Sequence, residues 1–303
     1  MEKDIISLIE ENGPLTGSEI WAAVGGDGLN LWRACKLSKD LIVRTTGVRY
    51  LRLDRRVNDF ARLSPSIWRE FLTYSVVGLS GDPNSLKQRA QTVISNIEEV
   101  SKAKLELAYR IASGLVSQFE CEWTMDHQVC FVIAGDIVHN MAHDVPRPER
   151  STGKMVKGSD MDLVVIADDQ VPDALIKRLD DAIYKEKYRL LITPHVKEEI
   201  DYVVKKLERV REQVGFNTFR HMVACKILNE GTLLFGSEGL FHEVKAMLRE
   251  KGVTEKLEGM ESRARVFRKN AEEFLLHAER DKIKEEHSYL FYPTEESEEF
   301  EIA

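Results

Sequence analysis

Two aspartates, Asp160 and Asp162, stand two positions apart at the start of the apolar run LVVI, residues 163–166. An unbroken run of this kind, rich in β-branched residues, predicts a buried strand. Because alternate residues of a strand point to the same face, both carboxylates would project together and raise each other's pKa. A divalent cation between them would offset that repulsion, and Mg²⁺ or Mn²⁺ prefers such oxygen ligands, with phosphate oxygens completing the shell. An Asp-x-Asp pattern alone also fits turn and strand-edge residues that bind nothing.

The sequence around the two aspartates adds a second apolar segment, VCFVIA at residues 129–134, which ends in Gly135. Together with the GSDMDL sequence at residues 158–163, this arrangement resembles the polymerase-beta-like nucleotidyltransferase superfamily over roughly residues 125–250. The resemblance implies a mixed sheet and transfer of a nucleoside monophosphate from a nucleoside triphosphate to an acceptor. The sequence departs from the family at Asp136, where a Ser or Gly is usual, and in a longer gap before Asp160.

The family usually places a third carboxylate on a later strand, and Asp201 is the candidate here. The apolar residues from position 200 recur at i, i+3, i+4, i+7 and i+10, which predicts a helix instead, so both assignments stay open. Gly135 would let the backbone approach a phosphate closely at a helix N-terminus. The residues expected at the metal are Asp160, Asp162 and Asp201, which would be catalytic. Those expected at the nucleotide are Gly135, Asp136, Lys154, Lys157, Gly158 and Ser159.

The insertion between the two segments, residues 137–157, carries four cations just before the carboxylates: Arg147, Arg150, Lys154 and Lys157. Its prolines and Gly153 predict a loop, which is either a solvated surface loop or a clamp on the triphosphate. His139 and His143 are four residues apart. On a helix they would share a face and could bind zinc, or they could be ordinary pocket or surface residues.

Length and composition indicate a globular chain with room for more than one domain. The chain has 303 residues, a net charge of −8, 43% hydrophobic and 31% charged residues. No apolar run approaches the ~18 residues of a membrane span, and the acidic N-terminus is unlike a signal peptide. Four cysteines without CxxC spacing predict reduced thiols, so we expect a cytoplasmic protein without a membrane partner. Nothing in the sequence fixes the oligomeric state.

Residues 1–56 show the order of a winged helix-turn-helix, with three predicted helices followed by a predicted hairpin over residues 42–53. Between Arg33 and Arg62 nine basic residues oppose three acidic ones, a local charge of +6. Basic residues on the third helix and the hairpin, namely Arg33, Lys36, Lys39, Arg44 and Arg49, could bind double-stranded DNA or RNA through its phosphates. A winged helix that contacts protein is the alternative.

The remaining segments complete the predicted α+β organisation. Residues 57–125 read as a helical connector, 126–215 as the nucleotidyltransferase-like core, and 216–284 as a helical C-terminal part. Within the core, RLLIT at residues 189–193 is a candidate strand. The tail, residues 285–303, contains seven glutamates interleaved with aromatic residues, which predicts a disordered segment or one that docks on a basic surface.

Two functions from different classes follow from these patterns. The first is a nucleotidyltransferase that uses Mg²⁺ or Mn²⁺ and a nucleoside triphosphate, with Asp160 and Asp162 at the metals. The second is a winged-helix regulator whose nucleotidyltransferase-like domain is degenerate or senses a ligand. Asp136 and the doubtful third acid favour the regulator, whereas the presence of both Asp160 and Asp162 favours the enzyme. The sequence does not choose among a protein, an RNA end, a nucleotide and a small molecule as the acceptor.

Overall fold

The structure, a computed structural model, describes residues 1–119, 125–149, 151–279, 283 and 287–292. These residues form two compact units with mixed helices and strands, which confirms the α+β class. The first unit contains residues 1–96 and the described residues from Gly259 onward, and the second contains residues 97–258. No helix in the described ranges is long and apolar enough to cross a membrane.

The first unit opens with helices α1 (Glu2–Asn12), α2 (Gly17–Val24) and α3 (Gly28–Leu37), with the short strand β1 (Leu15–Thr16) before α2. Helix α2 begins at a reciprocal capping box formed by Thr16 and Glu19. Two further strands, β2 (Leu41–Thr45) and β5 (Ser75–Leu79), join β1 in an antiparallel sheet of order β1-β5-β2. Helix faces and sheet bury a common apolar core.

The predicted hairpin over residues 42–53 is wrong. Strand β2 pairs with β5, whereas β3 (Tyr50–Leu53) pairs with β4 (Ala61–Ser64) in a separate two-stranded sheet. The segment predicted to be a helical connector therefore contains β4 and β5, with the short helix α4 (Ile67–Thr73) between them. Its long helix, α5 (Pro83–Ser117), belongs to the first unit up to Asn96 and to the second from Ile97.

The first unit is completed by the later part of α11 (Val253–His277) and by a short helix, α12 (Ser288–Phe291). Phe291 is fully buried and its ring lies 5.6 Å from Trp32 and 5.5 Å from Trp68. The segment predicted as an acidic tail thus begins with an aromatic anchor in the core of this unit. Of this predicted tail, residues 285–286 and 293–303 lie outside the described ranges.

The second unit is built on a four-stranded sheet of order β10-β9-β6-β11. Its strands are β6 (Val129–Ala134), β9 (Met161–Ala167), β10 (Ile200–Lys206) and β11 (Thr232–Gly236), and β10 runs parallel to β9 while the other pairs are antiparallel. The two central strands are almost fully buried, as their continuous apolar runs predict. A four-residue helix, α6 (Met125–Gln128), leads into β6.

Two sequence predictions for this unit are wrong, and one alternative that the sequence left open is decided. The predicted strand at residues 189–193 lies at the end of helix α7 (Asp173–Ile192). Of the strand and the helix left open for residues 200–206, the structure contains the strand, β10, and α8 (Leu207–Gln213) follows it. The C-terminal part contains α9 (Phe219–Glu230) and α10 (Glu238–Glu250) as predicted, but β11 lies between them and pairs with β6.

The insertion contains two three-residue strands, β7 (Pro146–Pro148) and β8 (Met155–Lys157), paired as a hairpin where a loop was predicted. Two buried residues of α5 hold it at both ends. Ser101 Oγ accepts a hydrogen bond from the Ala142 amide at 3.0 Å, and Lys104 Nζ donates to the Lys157 carbonyl at 2.8 Å. The insertion is therefore an anchored hairpin beside the sheet.

Candidate metal centre

Three aspartates converge at the start of β9 and β10. Asp162 and Asp201 are register partners on these parallel strands, and Asp160 immediately precedes β9. One carboxylate oxygen from each of the three lies within 4.8 Å of the others. Neighbours of Asp162 on the opposite face, Met161 and Leu163, are buried in the core. The strand alternation thus holds the carboxylates on one face while the other face anchors the strand.

Gly135 lies directly against this group. Its φ is +70°, and a Cβ at this position would lie 2.0 Å from Asp162 Oδ2. Ala134, the residue before it, pairs with Asp162 across the sheet. Only glycine therefore satisfies both the backbone conformation and the contact, and the space beside Asp162 stays free of a side chain.

The turn before Asp160 is tied to the insertion. Ser159 Oγ donates to Asp136 Oδ2 at 2.6 Å and accepts from the His143 amide at 3.2 Å. The Ser159 amide donates to the His143 carbonyl at 3.0 Å. Gly158 has φ +59°, and a Cβ there would lie 1.8 Å from that carbonyl oxygen. Asp136 and Ser159, both expected at the nucleotide, are thus engaged with each other, and Asp136 is a fourth carboxylate near the aspartates.

The electrostatics of the group favour a cation. Burial raises the pKa of Asp162 well above its ordinary value, and the charges of Asp160 and Asp201 raise it further. Burial also raises the pKa of Asp160, with Arg147 opposing that shift. Three ionised carboxylates within this distance repel strongly in a partly dry environment. An all-oxygen donor set of this kind matches the ligand preference of Mg²⁺ and Mn²⁺.

Two basic side chains reach the carboxylates. Lys187 Nζ, on α7, lies 2.9 Å from Asp201 Oδ1. Arg147 Nη2 lies 3.5 Å from Asp160 Oδ2 and 2.9 Å from Glu199 Oε2, and Arg147 Nε donates to the Gly158 carbonyl at 2.7 Å. Burial, aided by Asp160, raises the pKa of Glu199 to about 7. Both cations could also face the phosphates of a bound nucleotide.

Of the three cations of the insertion that lie in the described ranges, Arg147 contacts the acidic group. Lys157 Nζ donates to the His195 carbonyl at 2.9 Å, and Lys154 Nζ lies 5.6 Å from the ring centroid of Tyr188. Arg150 lies outside the described residues. The predicted phosphate contacts of Lys154 and Lys157 stay predictions.

The two histidines of the insertion do not share a helix face, because residues 138–140 form a turn and residues 141–145 have no regular secondary structure. His139 Nε2 lies 3.1 Å from Glu230 Oε2, and His143 Nδ1 accepts from the Val145 amide at 3.2 Å. Within the described part of the chain, the three aspartates form a group close enough to hold a metal ion, and neither histidine belongs to such a group. The helical basis for a zinc pair is therefore wrong.

Lys187 is a site residue that the sequence did not identify, and no sequence signal marks it, since its contact depends on how α7 packs beside β10. Lys226 and Arg220 are two cations that the sequence places within possible reach of a nucleotide, with surface charge as the alternative. Lys226 is buried and pairs with Glu230 at 2.9 Å, and its charge acts to lower the pKa of Asp162. Arg220 is exposed.

The basic residues of the first unit are mostly engaged within that unit. Arg33 donates from Nε and Nη2 to the carbonyls of Leu275 and Ala278, at 2.6 Å each. Arg49 pairs with Glu70 and Glu272, at 2.5 and 2.8 Å. Arg56 and Arg62 pair with Asp54, and Arg52 is buried. The exposed cations of the predicted nucleic-acid surface are Lys36, Lys39 and Arg44.

Comparison of the chain with protein-family models, curated proteins and solved structures found no match in any of the three.

Proposed function

We propose that this protein is a metal-dependent nucleotidyltransferase. An acceptor oxygen would attack the α-phosphorus of a nucleoside triphosphate, the bond from that phosphorus to the β-phosphate oxygen would break, and pyrophosphate would leave. The observation that carries the proposal is the convergence of Asp160, Asp162 and Asp201 on one face of two parallel strands, within 4.8 Å. The sequence resemblance expects the same three residues at the metal.

In this proposal the three aspartates hold Mg²⁺ or Mn²⁺, which when bound lowers the pKa of the attacking hydroxyl and neutralises the triphosphate. Gly135 keeps the space beside Asp162 open for the nucleotide. Arg147 and Lys187 balance the carboxylates when no ligand is present and face incoming phosphates. Ser159 orients Asp136 through its hydroxyl.

For the first unit we propose a winged-helix arrangement. Three helices and a sheet of order β1-β5-β2 support it, with the β3–β4 sheet and α4 placed in the connection between β2 and β5. A nucleic-acid partner would depend on Lys36, Lys39 and Arg44, since Arg33 and Arg49 have internal partners. The alternative function, a DNA-binding regulator with a degenerate catalytic domain, gains no support from these contacts.

The proposal is tested by incubating the full chain with each labelled nucleoside triphosphate and Mg²⁺ or Mn²⁺, and following pyrophosphate release. Because the acceptor is unidentified, metal-dependent binding of a non-hydrolysable triphosphate analogue is measured in parallel. Asp162→Asn and Asp201→Asn should abolish both signals. Asp173→Asn, which changes a carboxylate that is 90% exposed at the start of α7, is the matched control and should retain them. Unchanged turnover in Asp162→Asn would contradict the proposal, as would metal-independent binding.

A further inference from the structure

Helix α7 presents an exposed aromatic face. Tyr184 and Tyr188 are 61% and 51% exposed, and Ile192 extends the row by one turn. The opposite face of the same helix is buried in the core through Leu179, Ile183 and Leu190. We call Tyr184 and Tyr188 the tyrosine stripe. Contiguous exposed apolar surface marks an interaction site.

The tyrosine stripe adjoins the candidate metal centre. Lys187 precedes Tyr188 directly and lies three residues after Tyr184, and its ammonium group contacts Asp201 at 2.9 Å. Lys154, from the tip of the β7–β8 hairpin, lies over the Tyr188 ring at 5.6 Å. A molecule stacked on Tyr188 would therefore lie between the hairpin and the residue that contacts the third aspartate.

The charge around the tyrosine stripe fits a polyanion. From Tyr184 to Ile192, α7 carries Lys185, Lys187 and Arg189. Lys187 pairs with Asp201 at 2.9 Å and Arg189 with Glu186 at 2.6 Å, whereas Lys185 is exposed. Lys154 adds a further cation beside Tyr188. Lys154 and Lys185 are thus the cations beside the tyrosine stripe that would meet the phosphates of a strand, while Asp180 and Asp181 lie one turn before Tyr184.

We propose that the tyrosine stripe binds unpaired bases of a single-stranded nucleic acid, and that this nucleic acid is the acceptor in the nucleotidyl transfer. The acceptor role rests on the proposed function, whereas the binding does not. Aromatic side chains that stack bases, together with cations that follow the phosphates, are what binding of single strands requires. Side chains four apart on a helix are ~5–6 Å from each other at Cβ, which suits two neighbouring unstacked bases. A duplex would not fit this surface, because its bases are stacked on one another and offer no free face.

The test is direct binding of a labelled single-stranded RNA of about ten nucleotides to the full chain, by fluorescence anisotropy at low salt with EDTA. Tyr184→Ala with Tyr188→Ala should weaken binding at least ~10-fold, since each stacked base contributes about 1–3 kcal/mol. The corresponding double Phe variant should bind like the wild type, because the ring is retained. Tyr109→Ala is the matched control, an exposed tyrosine on α5 (49%) that contacts Phe235 on β11, at the other edge of the sheet from β10.

Several results would overturn the inference. The first is that a duplex binds as tightly as the single strand. The second is that Tyr109→Ala weakens oligonucleotide binding as much as the double Ala variant does. The third is that the double Ala variant loses affinity for the triphosphate but not for the oligonucleotide. A wild-type dimer that the double Ala variant converts to monomer, without oligonucleotide binding, would assign the tyrosine stripe to self-association. The measurement needs no metal, so failure of catalysis leaves it interpretable. Asp162→Asn should bind the oligonucleotide normally, whereas loss of turnover in that variant tests only the proposed function.

Discussion

Asp162 and Asp201 lie directly opposite each other in the register of parallel strands β9 and β10. Residues paired in this way project from the same face, so the sheet itself brings the two carboxylates together. Asp160 adds a third carboxylate, and the pKa of Asp162 is raised well above its ordinary value by burial and by both neighbours. A fold that keeps three mutually repelling acids together gains stability when a divalent cation binds them.

The first prediction is that Asp162→Asn stabilises the metal-free protein near neutral pH. A carboxyl group whose pKa is raised in the folded state contributes stability at low pH, and this stability is lost as the pH rises through the folded pKa. The Asn side chain of the variant does not ionise, so the variant does not undergo this loss. The wild type should in turn be stabilised by Mn²⁺, by about 2.7 kcal/mol at 100 times the dissociation constant, and the variant should not. Thermal unfolding with and without metal measures both effects. A metal-induced shift retained in full by the variant would refute the assignment.

The second prediction concerns Gly135. Gly135→Ala should abolish the metal-induced shift in melting temperature, because the new Cβ would occupy the position of Asp162 Oδ2. The left-handed backbone conformation adds a cost of about 1–2 kcal/mol. Gly25→Ala is the matched control, since Gly25 has φ +66° and no heavy atom within 4 Å of the added Cβ. The control variant should lose stability through its backbone conformation and keep the metal-induced shift in melting temperature. An equal loss of that shift in both variants would contradict the expectation.

The sequence predicted the two central strands and the Asp160–Asp162 pair, because buried strands have continuous apolar runs. It left β10 undecided between a strand and a helix for a physical reason. Ile200, Val203 and Val204 belong to an edge strand partly buried on both faces, and Leu207 and Val210 belong to α8. The five residues together imitate a helical period across a strand–helix junction, so the pattern could not locate Asp201 on a strand.

The error in the first unit has a different cause. The sequence predicted that β2 pairs with the next strand in a local hairpin, because short-range pairing has the lowest loop-closure cost. The actual partner, β5, is some thirty residues later, and the intervening residues form their own sheet from β3 and β4. Which of two apolar strands pairs with β2 depends on packing in the core, where Val76 and Val77 of β5 are fully buried. Local sequence does not carry that information.

The third prediction concerns Lys205, which is buried on β10 and donates to Gln213 Oε1 at 3.0 Å. Burial lowers the pKa of Lys205 from 10.5 to about 8. The unfolded chain therefore binds more protons between these values, and stability should rise with pH across that window. The size of this effect is about 3 kcal/mol.

Lys205→Met should remove this pH dependence. Urea unfolding at a series of pH values gives the free energy of unfolding of the wild type and of the variant. The wild-type value should rise relative to that of the variant from pH 8 upward. Lys206→Met is the control, because Lys206 is 27% exposed and pairs with the exposed Asp173. Parallel pH profiles of the wild type and Lys205→Met would show that the Lys205 ammonium is not destabilised in the folded state.

The fourth prediction concerns Phe291. Phe291→Ala should destabilise the first unit by about 3–5 kcal/mol, the usual cost of removing a fully buried phenylalanine. Tyr292→Ala, at a neighbouring ring that is 37% exposed, should cost much less. Chemical unfolding followed by tryptophan fluorescence reports directly on the contact, because Phe291 packs against Trp32 and Trp68. Equal costs for the two variants would argue against docking of this segment.

The last prediction concerns duplex binding by the first unit, measured on the full chain. If duplex DNA binds there, Lys36, Lys39 and Arg44 should carry it, and their replacement by Ala should weaken binding and reduce its salt dependence. Arg33→Ala is expected instead to lower stability, because it removes the donors to the Leu275 and Ala278 carbonyls.

Removal of the glutamate-rich residues after Tyr292 tests the same surface. The truncated chain should end at Tyr292, because a chain that ends before position 285 would also lose Phe291, which is part of the core. If they compete for the exposed cations, truncation should tighten duplex binding at low salt and matter less at high salt, where charges are screened within about 3 Å at 1 M. Absence of duplex binding in both forms at low salt would assign the first unit to protein contacts. That result would not bear on the proposed catalytic role of Asp160 and Asp162, because none of the three cations lies in the second unit.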